Sequence, residues 1–203
     1  MVSPNSATPP LVLENRHTGE RLELLRHEDE HGLWLRVRAE LPGHQVGPSV
    51  HMHRKEAVEL HVISGRVSVL KDGMRSKLGP GEKIRFPRDT AYRWWNESDD
   101  PAEFELTVAP VVDFDQYLQG LVQITNAGEQ GHPPLSYMAH LTLRHGDTQE
   151  VKVLPGMVHG PFWWSHRILG SLLGRYRGED WPGAPARCRG APLGAEAATE
   201  AGD

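Results

Sequence analysis

His51, Met52 and His53 place two imidazoles two positions apart. Side chains on a strand alternate between faces, so both rings would share one face and whatever that face encloses. An imidazole takes or gives a proton near neutral pH. Farther on, Tyr92 brings a phenol able to donate a hydrogen bond to a substrate carbonyl or to protonate an enolate. His51, His53 and Tyr92 are therefore the expected catalytic set. Trp94 shares strand parity with Tyr92 and should face the same side, whereas Trp95 should not. Trp94, Phe86, Val58, Leu60 and Phe104 are the expected substrate-binding wall, with Trp34 in the same aromatic group. Glu59 and His61 fall opposite Val58, toward solvent or a subunit interface, and Arg54 and Lys55 suit a solvated turn. The plainer alternative is an inert, hydrogen-bonded histidine pair beside a packing tyrosine.

The elements that must position these groups are legible as short strands. Leu22 and Leu24, then Leu33, Leu35, Val37, Ala39 and Leu41, alternate with charged residues, the period of strands with one buried face. Val58, Leu60 and Val62 lead to a Ser64-Gly65 turn, Val67 and Val69 lead to the hairpin signal Asp72-Gly73, and Gly79-Pro80-Gly81 precedes Ile84, Phe86 and Pro87. A last pair of strands is expected at Tyr92 to Trp95 and Phe104 to Val108, across the polar turn Asn96 to Pro101. Many short strands spaced by Gly and Pro predict a mainly β jelly-roll barrel.

After Pro110 the period changes to three and four. Phe114, Tyr117, Leu118, Leu121, Val122 and Ile124 predict an amphipathic helix begun by Asp113 or Asp115 and ended at Gly128. Leu135 to Leu143 and Phe162 to Leu173 predict two more, whose apolar stripes should pack on the barrel or across a dimer. The third, with its aromatic start and its cations, also fits a membrane-surface helix. The expected organisation is a flexible 1–10, a barrel over 11–110, a helical appendix over 111–177 and a disordered, Gly/Ala/Pro-rich tail over 178–203.

The doublet and the later Gly81, Pro87, Tyr92 and Asn96 resemble the two motifs of the cupin superfamily, over roughly residues 11–110. The resemblance implies a double-stranded β-helix in which two histidines, a glutamate and a later histidine hold Fe, Mn, Ni or Zn. His51 and His53 match the first two ligand positions and Gly65 the closing glycine. Val58 stands where the glutamate belongs, Asp89 replaces a glycine, and Tyr92 replaces the third histidine. A metal left with two imidazoles is poorly held, so no cofactor is expected. The alternative is a divalent metal on His51, His53 and Glu59, if a one-residue bulge turned Glu59 or Glu56 inward.

Composition narrows the partners. Lys and Arg number 22 against 27 Asp and Glu, a net charge of −5, which removes the basic surface that nucleic acid requires. The chain has a single cysteine, Cys188, and neither a signal-like start nor a run long enough to span a bilayer, so a cytoplasmic protein is expected. The expected function is a metal-independent enzyme acting by acid/base chemistry and positioning on a small hydrophobic molecule: an isomerase, cyclase or dehydratase, as a homodimer. Resemblance to metal-free sugar epimerases and polyketide-cyclase cupins implies this class. The alternatives are a metal-dependent oxygenase and a non-catalytic binding module.

Overall fold

The computed structural model describes residues 9–129, 131, 133–151 and 159–174. The expected tail over 178–203, with Cys188, and most of the expected flexible start lie outside them. Ten strands come first: β1 (Leu11–Glu14), β2 (Arg21–Asp29), β3 (Gly32–Leu41), β4 (His51–His53), β5 (Ala57–Ser64), β6 (Val67–Lys71), β7 (Met74–Leu78), β8 (Lys83–Phe86), β9 (Tyr92–Trp95) and β10 (Ala102–Ala109). Helices α1 (Phe114–Ala127) and α2 (Leu135–Arg144), a short β11 (Gln149–Val151) and α3 (His159–Leu172) follow. The strands form two antiparallel sheets, ordered β1-β2-β3-β10-β5-β8 and β11-β4-β9-β6-β7.

Alternation decides which side chains fill the space between the sheets. Leu22 and Leu24, Leu35 to Leu41 at every second position, Val58, Leu60 and Val62, and Phe104, Leu106 and Val108 are all buried in one core. Trp34 is one residue out of step with Leu35, so it leaves the expected aromatic wall and stacks on His27 at the sheet's outer face, ring centroids 4.1 Å apart. Trp95 likewise faces out, between the guanidinium groups of Arg75 and Arg93 at 4.9 Å and 5.1 Å from its ring centroid, where the ring's π-face attracts the cations. Asp72 and Gly73 both take positive φ, as the tight β6–β7 hairpin requires. Gly47 is fixed by space: a Cβ there would collide with the carbonyl oxygen of Trp94.

The last pair of strands departs from expectation. The β9 and β10 segments are not paired; β9 lies between β4 and β6, and β10 between β3 and β5. Asn96 manages this passage between sheets. Its buried amide donates to the carbonyls of Leu41, Pro42 and Asp100, and its side-chain oxygen accepts from Ser98. Beyond residue 110 the chain also comes back to the barrel. β11 returns to pair with β4, Gln149 opposite His53 and Val151 opposite His51. Helix α1 is not capped by an aspartate side chain as expected. Asp115 instead makes a bidentate pair with Arg26 of β2, at 2.6 Å and 3.0 Å, and Asp113 accepts from His145 Nδ1 at 2.6 Å. Bidentate pairing of this kind fixes orientation as well as distance.

The turn before β9 explains one departure from the motif. Asp89 has a positive φ, in the left-handed region where glycine is free and aspartate is tolerated, and its N–H donates to the His53 carbonyl. Asp89→Gly is expected to leave stability within about 0.5 kcal/mol, whereas the β-branched Asp89→Val should cost about 1–2 kcal/mol. Urea unfolding midpoints of the two variants measure this.

Candidate functional site

β4 lies between β9 and β11, and His51 and His53 alternate with an outward Met52, so both rings enter the barrel. In the register His51 sits opposite Tyr92. The three expected catalytic groups come together: ring centroids are 4.5 Å apart for His51 and Tyr92, 5.5 Å for the two histidines and 5.8 Å for His53 and Tyr92. Trp94 also faces inward, 5.5 Å from His51, and Phe86 stacks on Tyr92 at 3.9 Å.

Hydrogen bonds order these rings into a line. Tyr92 and His53 are joined at 2.9 Å through the phenol oxygen and Nε2, and His53 Nδ1 lies 3.1 Å from Glu56 Oε2. A carboxylate offers only acceptors, so Nδ1 carries the imidazole proton and the lone pair of Nε2 accepts from the Tyr92 hydroxyl. Glu56 is wholly buried. It also accepts from Gln149 Nε2 at 2.7 Å, from Val112 N–H at 2.7 Å and from Asp113 N–H at 3.3 Å. Phe114, at the start of α1, closes the line with its ring edge-on to His53 at 4.6 Å.

The surroundings fix the protonation preferences. Burial, with the neighbouring His53, lowers the His51 imidazole to about 3, although a hydrogen bond to the Ser49 carbonyl opposes this. That bond, 2.8 Å from Nδ1, leaves the lone pair on His51 Nε2. Burial pushes the Tyr92 hydroxyl well above its ordinary value, and the Glu56 charge pushes it further.

Glu56 is the functional candidate that strand parity did not single out. It stands in the bend before β5, where alternation assigns no face, and it follows His53 by two intervening residues instead of the three or four of the cupin motif. Three of its donors come from beyond residue 110. Glu59 is on the outer face of β5, as its parity with Val58 predicts, 3.3 Å from Lys83 Nζ, and no bulge turns it inward as the alternative metal site would require. Val58, Leu60, Phe86 and Phe104 are at most 1% exposed, so water scarcely reaches them even from within. They pack the barrel around the site, where His51 and Trp94 retain 8% and 6% exposure and Tyr92 retains 1%.

The donors of the site are spent on one another. Both His53 nitrogens are engaged, both Glu56 oxygens already accept, and His51 Nε2 alone presents a free imidazole lone pair. Among the described residues no group of three or more His, Cys, Asp or Glu is placed to hold an ion. The line can hold a proton at Nδ1 and exchange one between the phenol and Nε2, with an apolar wall against water.

Residues 37–109 match the family described as the cupin domain. No curated protein matches the chain. Among solved structures it is similar to KdgF from Halomonas sp., at 16% identity and TM-score 0.42, over 50% of this chain and 89% of that one. It is also similar to the Cupin_2 domain of an XRE family transcriptional regulator from Enterobacter cloacae, at 22% identity and TM-score 0.39, over 46% and 98% of the two chains. A cupin superfamily sugar phosphate isomerase from Silicibacter pomeroyi matches at 23% identity and TM-score 0.39, over 48% and 64%.

The low value at His51 makes stability depend on pH. Between about pH 3 and 6.5 the unfolded chain binds a proton at this residue that the folded chain refuses, so stability rises with pH across that window and is lost on acidification. His140 of α2, lowered to about 4 by burial and then by the Arg167 charge, acts in the same direction. Unfolding midpoints should fall between about pH 6.5 and 4 with a slope of up to about 1.4 kcal/mol per pH unit for each histidine. His51→Gln should flatten the profile, and an unchanged slope in that variant would contradict this assignment.

Proposed function

We propose that the barrel, whose residues 37–109 match the cupin domain family, is a metal-independent acid/base site for a small hydrophobic molecule, of the isomerase, cyclase or dehydratase kind. The observation that carries this is the line Tyr92–His53–Glu56, with the phenol at one end and a buried carboxylate at the other. His53 is the base and Tyr92 is its contact with substrate. As the phenol oxygen takes a proton from a substrate C–H or O–H, its own proton moves to His53 Nε2, and Glu56 stabilises the imidazolium that results. The reverse movement returns a proton to a different substrate atom, so the protein ends unchanged. Burial and the Glu56 charge oppose a free phenolate, so the two transfers must be coupled. His51, neutral and with its lone pair on Nε2, accepts a hydrogen bond from the substrate rather than its proton. Trp94, Phe86 and Phe104 exclude water.

A second reading, a non-catalytic small-ligand-binding module, is favoured by one fact: the described contacts already satisfy both His53 nitrogens and both Glu56 oxygens. Tyr92→Phe separates the two. On a substrate identified by mass spectrometry of co-purified small molecules, turnover should fall by roughly 10²- to 10⁴-fold with the fold intact. Binding within a few-fold of wild type and no turnover in either protein would favour the module. Elemental analysis tests the metal-free part: stoichiometric iron, manganese, nickel or zinc that is lost in His51→Ala would overturn it.

A further inference from the structure

Helix α3 turns its apolar side away from the protein. Trp163 and Gly170 face inward, and the Arg167 guanidinium donates to His140 of α2. Trp164, Ile168 and Leu172 recur at every fourth position on the opposite side, with Leu169 beside them and Leu173 in the turn that follows, and these five are between 53% and 77% exposed. A helix on the surface of a globular protein ordinarily buries such a stripe. A contiguous exposed apolar patch marks a surface that meets something else.

Two features favour a bilayer over a second copy of the chain. The first is extent. The helix runs only from His159 to Leu172. At that length it is about 21 Å long and about 10 Å wide, a footprint of a few hundred Å². A stable dimer buries roughly 800 Å² per partner, well beyond that footprint. A flat lipid surface needs no matching second wall. The second feature is charge. From Val151 to Gly178 the sequence has no Asp or Glu but contains Lys152, Arg175 and Arg177, besides the Arg167 that is turned inward onto His140, in a chain whose net charge is −5. Acidic charge is thus absent from the one stretch that carries the exposed stripe, and the cations complement an anionic surface. No described helix is long and apolar enough to cross a membrane, so the geometry is that of a helix lying in the interface, with Trp164 at the depth where indole rings settle.

We propose that α3 seats the protein on anionic lipid bilayers through Trp164, Ile168, Leu169, Leu172 and Leu173. The full chain should co-sediment with phosphatidylcholine vesicles containing about 30% phosphatidylserine, and much less with phosphatidylcholine alone. Raising salt from about 50 to about 500 mM should weaken binding several-fold. Ile168→Glu with Leu172→Glu alters only exposed positions and should reduce binding at least about tenfold at unchanged circular dichroism. Arg175→Gln with Arg177→Gln provides a second test that leaves the stripe untouched and should lower binding to the anionic vesicles only. The proposal is overturned if the wild type ignores the anionic vesicles, or if the double glutamate variant binds them as wild type does. It is equally overturned if the chain is a dimer in solution that the glutamates dissociate and that fails to bind vesicles, which would identify a second copy as the occupant.

Discussion

A carboxylate with no solvent exposure organises the molecule. Removing such a group from water is costly unless hydrogen bonds replace its hydration, and Glu56 finds four donors: His53, Gln149 and the backbone N–H groups of Val112 and Asp113. His53 lies in β4, Val112 and Asp113 in the passage from β10 to α1, and Gln149 in β11. Satisfying one side chain therefore requires the chain after residue 110 to leave the barrel at a set place and then return to its edge. This is why the helical segment cannot be treated as an attachment, and why a strand of only three residues, β11, is found beside an equally short β4.

The same constraint settles the chemistry available to the histidines. With Glu56 holding Nδ1–H, the second nitrogen of His53 must accept, and the phenol of Tyr92 supplies the donor at 2.9 Å. The two departures from the cupin motif that matter here are thus coupled. The inward strand position of the ligand glutamate is occupied by Val58, which packs, while a carboxylate two residues earlier approaches the same histidine from behind. Where the motif has a third imidazole, Tyr92 donates to the second one. These groups form a chain of directed hydrogen bonds, which is specific in geometry because each partner has one acceptable orientation.

The parts of this that the sequence discloses are those governed by a period. Leu35, Val37, Ala39 and Leu41 lie on a strand with one buried face, and the same period places His51 with His53 and Tyr92 with Trp94 correctly. The three helices are found close to where the three- and four-residue spacing predicts them. Glu56 appears in the sequence only as one of two carboxylates that a bulge could turn inward, because it belongs to a bend, where no period applies, and because its partners other than His53 lie 56, 57 and 93 residues away in the chain. β11 is too short to show alternation, and Gln149 resembles any polar loop residue until β4 is seen opposite it. The separation of β9 from β10 is hidden for a related reason: consecutive strands usually pair, and only the closed geometry of two facing sheets sends these two to different ones.

The segment after the barrel consequently has two opposed faces. Its first part looks inward: Arg26 clamps Asp115 at 2.6 Å, Phe114 packs on His53, and Asp113 binds His145 while its N–H supports Glu56. The net effect on the Asp113 carboxyl follows from this position. Burial raises it, but hydrogen bonds from His145 and Thr148 outweigh burial and lower it, so its charge is retained beside the site. The last part looks outward, with α3 held to α2 by Arg167 on His140 and Trp163 buried, while its aliphatic residues remain in water. Helix α2 joins the two parts, because Tyr117 of α1 packs on His145 at the end of α2, and His140 lies about one turn earlier on the same helix. From α3 through α2 to His145, Asp113 and the backbone that supports Glu56, packed and hydrogen-bonded groups thus form a contiguous series between the outer helix and the proton line of the barrel.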